Sequence, residues 1–392
     1  MKPGLFDVAI IDEASQCDIA SCFPILFRAK KAVIVGDDKQ LPHLSFLEKA
    51  KEQSFLSQYN IPDKYQLMWR FRTNSMFDLA NYYSTNPVLL DEHFRSSYPI
   101  TQFSNKEFYG NRIRIMTKDA GSDDVLELHI VKDGKVDSDA TRNMPEVEAV
   151  LKRVHELILA DEGNDEHPVS IGIISPFRGQ VDLISKALRQ VLTETTIRKH
   201  QIEVGTAHTF QGDERDVMIL SWAVAENSFV QSLTFLQKPN LFNVAITRAR
   251  KKLICFISRD PKGLPAGLLK DYLEYIQQYI ESAKDDEFQK NKFKNSFEQE
   301  IAQALMMEGF EIKAGIEAAG VIPDLIVKDE LGKEIIIEVD GVEDNIKTNI
   351  KDTKKQTILE RAGYKVTRIS FREWQHSSQA CIDRVKRIIT EI

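Results

Sequence analysis

The chain is poor in cysteine and spaces none of it for bonding. Cys17, Cys22, Cys255 and Cys381 form no CxxC and no zinc or disulfide-framework pattern, so a stapled secreted scaffold is excluded and a reducing cytoplasm is the expected setting. No apolar run approaches the roughly 18 residues that cross a bilayer, and no membrane partner is expected. Positive charge is not in excess: 52 Lys and Arg stand against 59 Asp and Glu, a net charge of −7. That argues against a uniformly basic nucleic-acid binder but leaves room for a local basic groove. Internal repeats and long low-complexity tracts are also missing, which excludes a solenoid or a largely disordered chain.

What remains is an ordinary globular composition over 392 residues, 42% hydrophobic and 28% charged, enough for two or three domains. The first two-thirds alternates short apolar runs with helical stretches, the pattern of a parallel α/β sheet. Phe6–Ile11 and Ala32–Val35 read as fully buried strands, each running into acids, Asp12-Glu13 and Asp37-Asp38. Ligands of open parallel sheets sit beyond the carboxyl ends of strands, so these acids point at a site. Further strands are expected at Val169–Ser175, Ile202–Thr206, Val217–Trp222 and Lys252–Ile257. Beyond Arg259 a Pro/Gly-bearing stretch leads into a helix ending near Ala283, then a charged linker, Lys284–Asn295. From Ser296 the order helix, three strands, helix, strand, helix predicts a second, small α/β domain.

The motifs give the first part its chemistry. Phe6-Asp7-Val8-Ala9-Ile10-Ile11-Asp12-Glu13 is an apolar strand that delivers an acid pair; Asp12 suits Mg²⁺ and Glu13 suits orienting a water. Val33-Ile34-Val35-Gly36-Asp37-Asp38-Lys39-Gln40 follows, with Gln40 placed to sense a γ-phosphate. Later come Gly172–Gln180, Val204–Val217 (containing Thr206, His208, Phe210, Gly212 and Glu214) and Asn243–Arg250. In order and wording these resemble the motifs of superfamily 1 helicases, in the branch that includes the nonsense-mediated-decay helicases, over about residues 1 to 258. The resemblance implies ATP and Mg²⁺ as cofactors and nucleic acid as partner. These motifs do not decide between DNA and RNA, and DNA is put ahead of RNA only by the nuclease-like tail. The resemblance also makes Arg248 an arginine finger and brings Gly212 and Glu214 to the nucleotide, with Thr206 and His208 toward the bound strand. Phe210 and Trp222 read as core. The second arginine has two candidates, Trp69-Arg70-Phe71-Arg72 and Glu92-His93-Phe94-Arg95. Arg95 is preferred because Phe103–Tyr109 fits the family's continuation, which leaves Arg72 as a helix-surface residue.

One element of such a motor is missing: no G-x-x-x-x-G-K-[ST] loop occurs in the chain. The phosphate-gripping lysine is expected upstream, in the same or a separate chain, and this chain alone is expected not to hydrolyse ATP.

In the C-terminal part, Phe297-Glu298-Gln299-Glu300 opens an amphipathic helix. Val321–Val327 and Ile335–Gly341 read as neighbouring strands that let Asp324 and Glu338 share a divalent ion, with the Val339 carbonyl as a further ligand. This segment resembles the PD-(D/E)xK nuclease fold, in the branch similar to very-short-patch-repair endonucleases. The resemblance makes Asp324 and Glu338 the two acids, Glu298 the acid of the leading helix, and Mg²⁺ or Mn²⁺ the cofactor. Asp340 stands where the usual lysine would, and Val342-Glu343-Asp344-Asn345 replaces a frequent histidine. Lys351, Lys354 or Lys355 could supply the missing base, although a solvated helix face is the simpler reading.

The expected fold class is therefore α/β. It comprises an incomplete first RecA-like domain (1–92), a complete second RecA-like P-loop NTPase domain (93–259), a helix and linker (260–295), and a small restriction-endonuclease-like α/β domain (296–392). The expected function is a helicase or translocase on DNA with a nuclease-like tail, in repair or defence. A non-catalytic DNA-gripping module and an RNA-directed motor are the alternatives.

Overall fold

The first apolar run forms its strand but finds a single neighbour. In the computed structural model, which describes residues 2–118, 124–137, 141–285, 293–340 and 346–392, β1 (Phe6–Ile11) leads through helix α1 (Ile19–Arg28) to β2 (Ala29–Ile34). The two strands pair in parallel as a two-stranded sheet. Expected as fully buried, they are largely exposed: Ile10 is 71% accessible, and Phe6 and Val8 50% each. The cause is the layer count, since only one side of the ribbon is covered, where Ile11, Ala14, Ile19, Cys22, Met76 and Leu79 cluster. Helices α2 (Lys49–Gln58), α3 (Asp63–Gln66) and α4 (Met76–Tyr83) follow, α4 started by a Ser75–Asp78 capping box. Arg72 lies in the turn between α3 and α4, not on a helix, and its amide donates to Glu52 (3.0 Å).

A second, complete layer begins at residue 92. A short parallel pair, β3 (Glu92–His93) and, after α5 (Tyr98–Tyr109), β4 (Arg114–Ile115), stands apart from the main sheet. The main sheet is built from β5 (Leu126–Ile130), β6 (Ile171–Ile174), β7 (Glu203–Gly205), β8 (Arg215–Ala225) and β9 (Ala249–Ser258). Helices α6 (Met144–Ala160), α7 (Arg178–Val191), α8 (Glu194–Lys199), α9 (Val230–Phe235) and α10 (Pro239–Ile246) connect them. The strand order is β5-β9-β8-β6-β7, all parallel. The apolar runs are continuous because both faces are covered. Val147, Val150, Ile171, Ile184 and Ile254 fill one side, and Phe210, Trp222 and Phe242 fill the other. The helix after the Pro/Gly stretch, α11 (Leu268–Asp285), is no spacer: Leu269, Tyr272, Leu273 and Ile276 are buried in that second cluster.

Glu146 is fully buried near the start of α6. Its carboxyl receives Ser221 Oγ and the Ala223 amide, each at 2.8 Å, and burial pushes its pKa from 4.5 up to about 8. Between those values the folded carboxyl keeps a proton that the unfolded one has lost. Stability should therefore fall as pH rises from about 4.5 to about 8. Glu146→Gln, which cannot ionise, should flatten that slope in thermal melts across the window. A slope unchanged by the substitution would mean that Glu146 is not its source.

The C-terminal unit comprises α12 (Ser296–Met307), β10 (Glu311–Lys313), β11 (Leu325–Lys328), β12 (Glu334–Asp340), α13 (Ile346–Arg361), β13 (Lys365–Ser370), α14 (Phe371–His376) and α15 (Ser378–Thr390). Its sheet runs β10-β11-β12-β13, antiparallel except for the last pair. Strand alternation divides it cleanly. Ile335 and Ile337 face α12 and α15, while Ile336 faces Leu359 of α13.

Candidate functional site

Two clusters of candidate side chains emerge, one in the N-terminal part and one in the C-terminal unit. The first forms where the loop after β2 meets α10. Asp12 and Glu13 stand exposed beyond the end of β1, and Glu13 takes a left-handed φ of +50°, a strained conformation for this residue type. The Glu13 carboxylate accepts from Gln16 Nε2 (2.9 Å) and its amide donates to Asp12 Oδ1 (2.8 Å). Gln40 Oε1 accepts from Arg248 Nη2 at 3.0 Å, a bond between residues 208 positions apart. Arg248 is 3% exposed and anchored by its Nε to the Val244 carbonyl (3.1 Å). Burial first, then the neighbouring Arg95, lowers its pKa, while Glu13 and Glu214 oppose the shift. Arg95 is ion-paired to Glu214, which also meets Arg250 at 3.7 Å. Gly212 has φ +77°, with open space where a Cβ would lie. The structure thus brings Glu13, Gln40, Arg95, Arg248 and Glu214 to one place.

Several contributors to this cleft escape a reading of the motifs. Asn243 Nδ2 donates to the Lys39 carbonyl (3.0 Å) and to Tyr109 Oη (3.1 Å), and Tyr109 donates to Asp37 (2.7 Å). Asn240 donates to the Asp38 carbonyl (2.9 Å). Together they bind the β2 loop to α5 and α10. His93 is held neutral, its pKa lowered to about 4 by burial and then by Arg95 and Arg248, and it accepts the Ser96 amide at 2.9 Å. His208 is exposed, whereas Phe210 and Trp222 are core residues. An exposed acid at Asp12 and two convergent arginines fit the metal and phosphate ends of a nucleotide triphosphate. The phosphate-cradling loop is not among this chain's motifs.

The second cluster lies beside β11 and β12. Asp324 sits just ahead of β11 rather than within it, 8% exposed, and Oδ2 accepts the Val339 amide at 2.8 Å. The Val339 N–H thus ties β12 to Asp324. Glu338 is 3% exposed, and its Oε1 is buried without a hydrogen-bond partner among the described residues. Burial, then the neighbouring Asp324, pushes its pKa up to about 7. Glu298, 2% exposed on α12, is raised in the same direction by burial. Lys355 corrects the solvated-face reading: it turns inward from α13, 2.6 Å from Glu338 and 3.6 Å from Asp324. Lys294, which no motif suggested, pairs with Asp324 and donates its amide to Glu298 (2.7 Å). Asp340 shares the Glu338 face of β12 but is ion-paired to Arg368 at 3.0 Å. Val342–Asn345, the Lys351 side chain and linker residues 286–292 lie outside the described residues.

Among the described residues no group of three or more His, Cys, Asp or Glu has metal-holding geometry. Two oxygen-only ligands, one of them an orphaned buried oxygen, still suit a hard divalent cation that would share the site with the lysines.

A parallel five-stranded sheet with arginine, glutamine and acid side chains converging at its edge is typical of a RecA-like P-loop NTPase domain. Residues 1–46 match the AAA domain model AAA_11, 72–260 match the AAA domain model AAA_12, and 297–389 match REase_MTES_1575. The chain is 30% identical to an uncharacterized ATP-dependent helicase of Mycoplasma genitalium, over 70% of this chain and 26% of that protein. It is 27% identical to Helicase SEN1 of Saccharomyces cerevisiae, over 63% and 11%. It is 29% identical to the DNA replication ATP-dependent helicase/nuclease of Gallus gallus, over 64% and 23%. A solved viral helicase structure (PRRSV) aligns at a TM-score of 0.32 and 12% identity, covering 95% of this chain and 49% of that one, too loosely to carry an argument. The chain thus carries the AAA domains of helicases, has superfamily 1 helicases of the Sen1 and nonsense-mediated-decay type among its homologues, and ends in a nuclease-like domain. It spans about a quarter of the length of the first of these curated relatives. Among the described residues no helix is long and apolar enough to cross a membrane.

Proposed function

We propose that this chain is the C-terminal portion of an ATP-dependent helicase or translocase that acts on DNA and carries a metal-dependent endonuclease-like tail, in repair or defence. The carrying observation is the Arg248–Gln40 bond, made beside Arg95 and Glu13. It joins the γ-phosphate sensor of one sheet to the arginine finger of the other, as phosphoryl transfer between two domains requires. Residues 1–92 act as the remnant of the first motor domain, 93–259 as the second, 260–295 as a helix packed on the second and a linker, and 296–392 as the nuclease-like domain. The phosphate-gripping loop is supplied by a further N-terminal portion, in the same or a separate chain. That portion covers the exposed face of β1 and β2, and this chain alone is ATPase-incompetent. The setting is a reducing cytoplasm.

In the motor, Asp12 holds the nucleotide's Mg²⁺, Glu13 orients the attacking water, and Arg95 and Arg248 neutralise charge on the leaving phosphoryl group. In the tail, Asp324 and Glu338 would hold Mg²⁺ or Mn²⁺, which would supply Lewis acidity toward a phosphodiester when bound. Lys355 takes the part of the strand lysine that Asp340 replaces, and DNA outranks RNA because a nuclease-like tail accompanies the motor. The test rejoins the N-terminal portion and measures ATP hydrolysis with single-stranded DNA and RNA of equal length. Greater stimulation by DNA is expected. Stimulation by RNA alone would overturn the substrate, and none by either would overturn the motor.

A further inference from the structure

The small domain closes one of its two apolar clusters alone but not the other. The Glu338 face of its sheet, carrying Ile326 and Ile336, is covered by one helix, α13. The residue that completes the cluster with Leu359, Ala362 and Tyr364 is Met116 of the motor, 2% exposed. Met116 directly follows β4, and its amide donates to the His93 carbonyl of β3 at 2.7 Å. Neighbouring Glu92 receives both guanidinium nitrogens of Arg361, the Nη1 contact at 2.9 Å. Arg114 holds the same Glu92 from the motor side at 3.2 Å. Tyr98 donates to Glu317 of the small domain at 3.2 Å.

Arg361 ends α13, and Lys355 lies six residues earlier, about 9 Å along the same helix. The helix is therefore pinned at its C-terminal end by the motor and at Lys355 by the carboxylates. We propose that the motor forms part of the nuclease-like site, with Met116 and Glu92 holding α13 at the angle that lodges Lys355 against Glu338 and Asp324. Glu92, Met116 and Arg361 are positioning residues. They touch no acid of the site, yet they fix the one helix that brings it a cation. Packed interfaces of this kind hold discrete arrangements rather than yielding continuously. Loss of the ion pair should then free the Lys355 ammonium instead of shifting it slightly.

This inference rests on reading Asp324, Glu338 and Lys355 as one site, and the test separates the two claims. The full chain is treated briefly with acetic anhydride, and the acylation of each lysine is read by mass spectrometry. Lys355 should label slowly in the unaltered protein. It should label severalfold faster in Glu92→Ala and in Arg361→Ala, with Lys386, remote from the interface, as a constant reference. Arg361→Lys, which keeps the charge, should restore most of the protection, whereas a general loss of folding would expose Lys386 as well. Glu338→Gln should release Lys355 in any case. If only the interface variants leave Lys355 protected, the proposal falls and the site stands. If Glu338→Gln also leaves its labelling unchanged, both fall.

Discussion

Asp324→Ala or Glu338→Ala should each lower DNA cleavage by this chain at least about 100-fold in Mg²⁺ or Mn²⁺, with DNA binding retained. Both carboxylates are nearly inaccessible, and removing either leaves Lys355 inside the fold with half its compensation. The substitution thus costs a metal ligand and unbalances the remaining charge. Lys355→Ala should cost a comparable factor, on the order of 10²–10³, if its ammonium faces the developing phosphodiester charge. The acid pair also sets a pH dependence. Glu338 holds its proton up to about pH 7, and a proton there competes with the metal, so the metal concentration required should fall as pH rises through that value. Chelator-sensitive cleavage that survives both alanine variants would place the chemistry elsewhere. Binding without cleavage in the unaltered chain would make the tail a grip on DNA.

The second large effect belongs to the motor. With the N-terminal portion restored, Arg248→Ala should reduce ATP hydrolysis by roughly 10³–10⁵-fold, while a fluorescent nucleotide still binds. The factor is large because Arg248 is buried and already directed, tied to Val244 behind and Gln40 in front. Little reorganisation is left for the moment of reaction. Arg248→Lys keeps the charge but cannot make both contacts, so it should recover little. Arg95→Ala should fall in the same direction by less, since Arg95 is already partly neutralised by Glu214. Hydrolysis unchanged in Arg248→Ala would remove it from the reaction and leave the Gln40 bond as a domain latch.

The main sheet and the convergence of Glu13, Gln40 and Arg248 are legible in the sequence because each candidate side chain stands in a short run whose neighbours in sequence are neighbours in space. A strand that ends in Asp12-Glu13, and a loop that carries Gln40, need no tertiary information to be read. Arg248 was legible by motif alone, but its partner, 208 positions away, was not. The exposure of β1 and β2 is not legible, because an apolar strand looks the same whether or not a third strand lies beside it. The inward turn of Lys355 is hidden for a related reason: α13 is rich in lysine, and a charge pattern does not disclose which charge the helix turns inward. Lys294 sits at the end of a charged linker, where composition suggests only solvent. Met116 carries no motif, and its place in another domain's core follows from docking, which neither periodicity nor spacing encodes.

The thinly covered β1–β2 ribbon also decides how the chain comes apart. Its backbone is protected by a single pairing and one small apolar cluster, whereas β8 is flanked on both sides and roofed by two layers. Amide hydrogens of the ribbon exchange through local opening long before those of β6, β8 and β9. Thermal melts of this chain should therefore show the ribbon opening ahead of the main sheet, and the pH dependence set by Glu146, which is bonded to β8, belongs to the later transition.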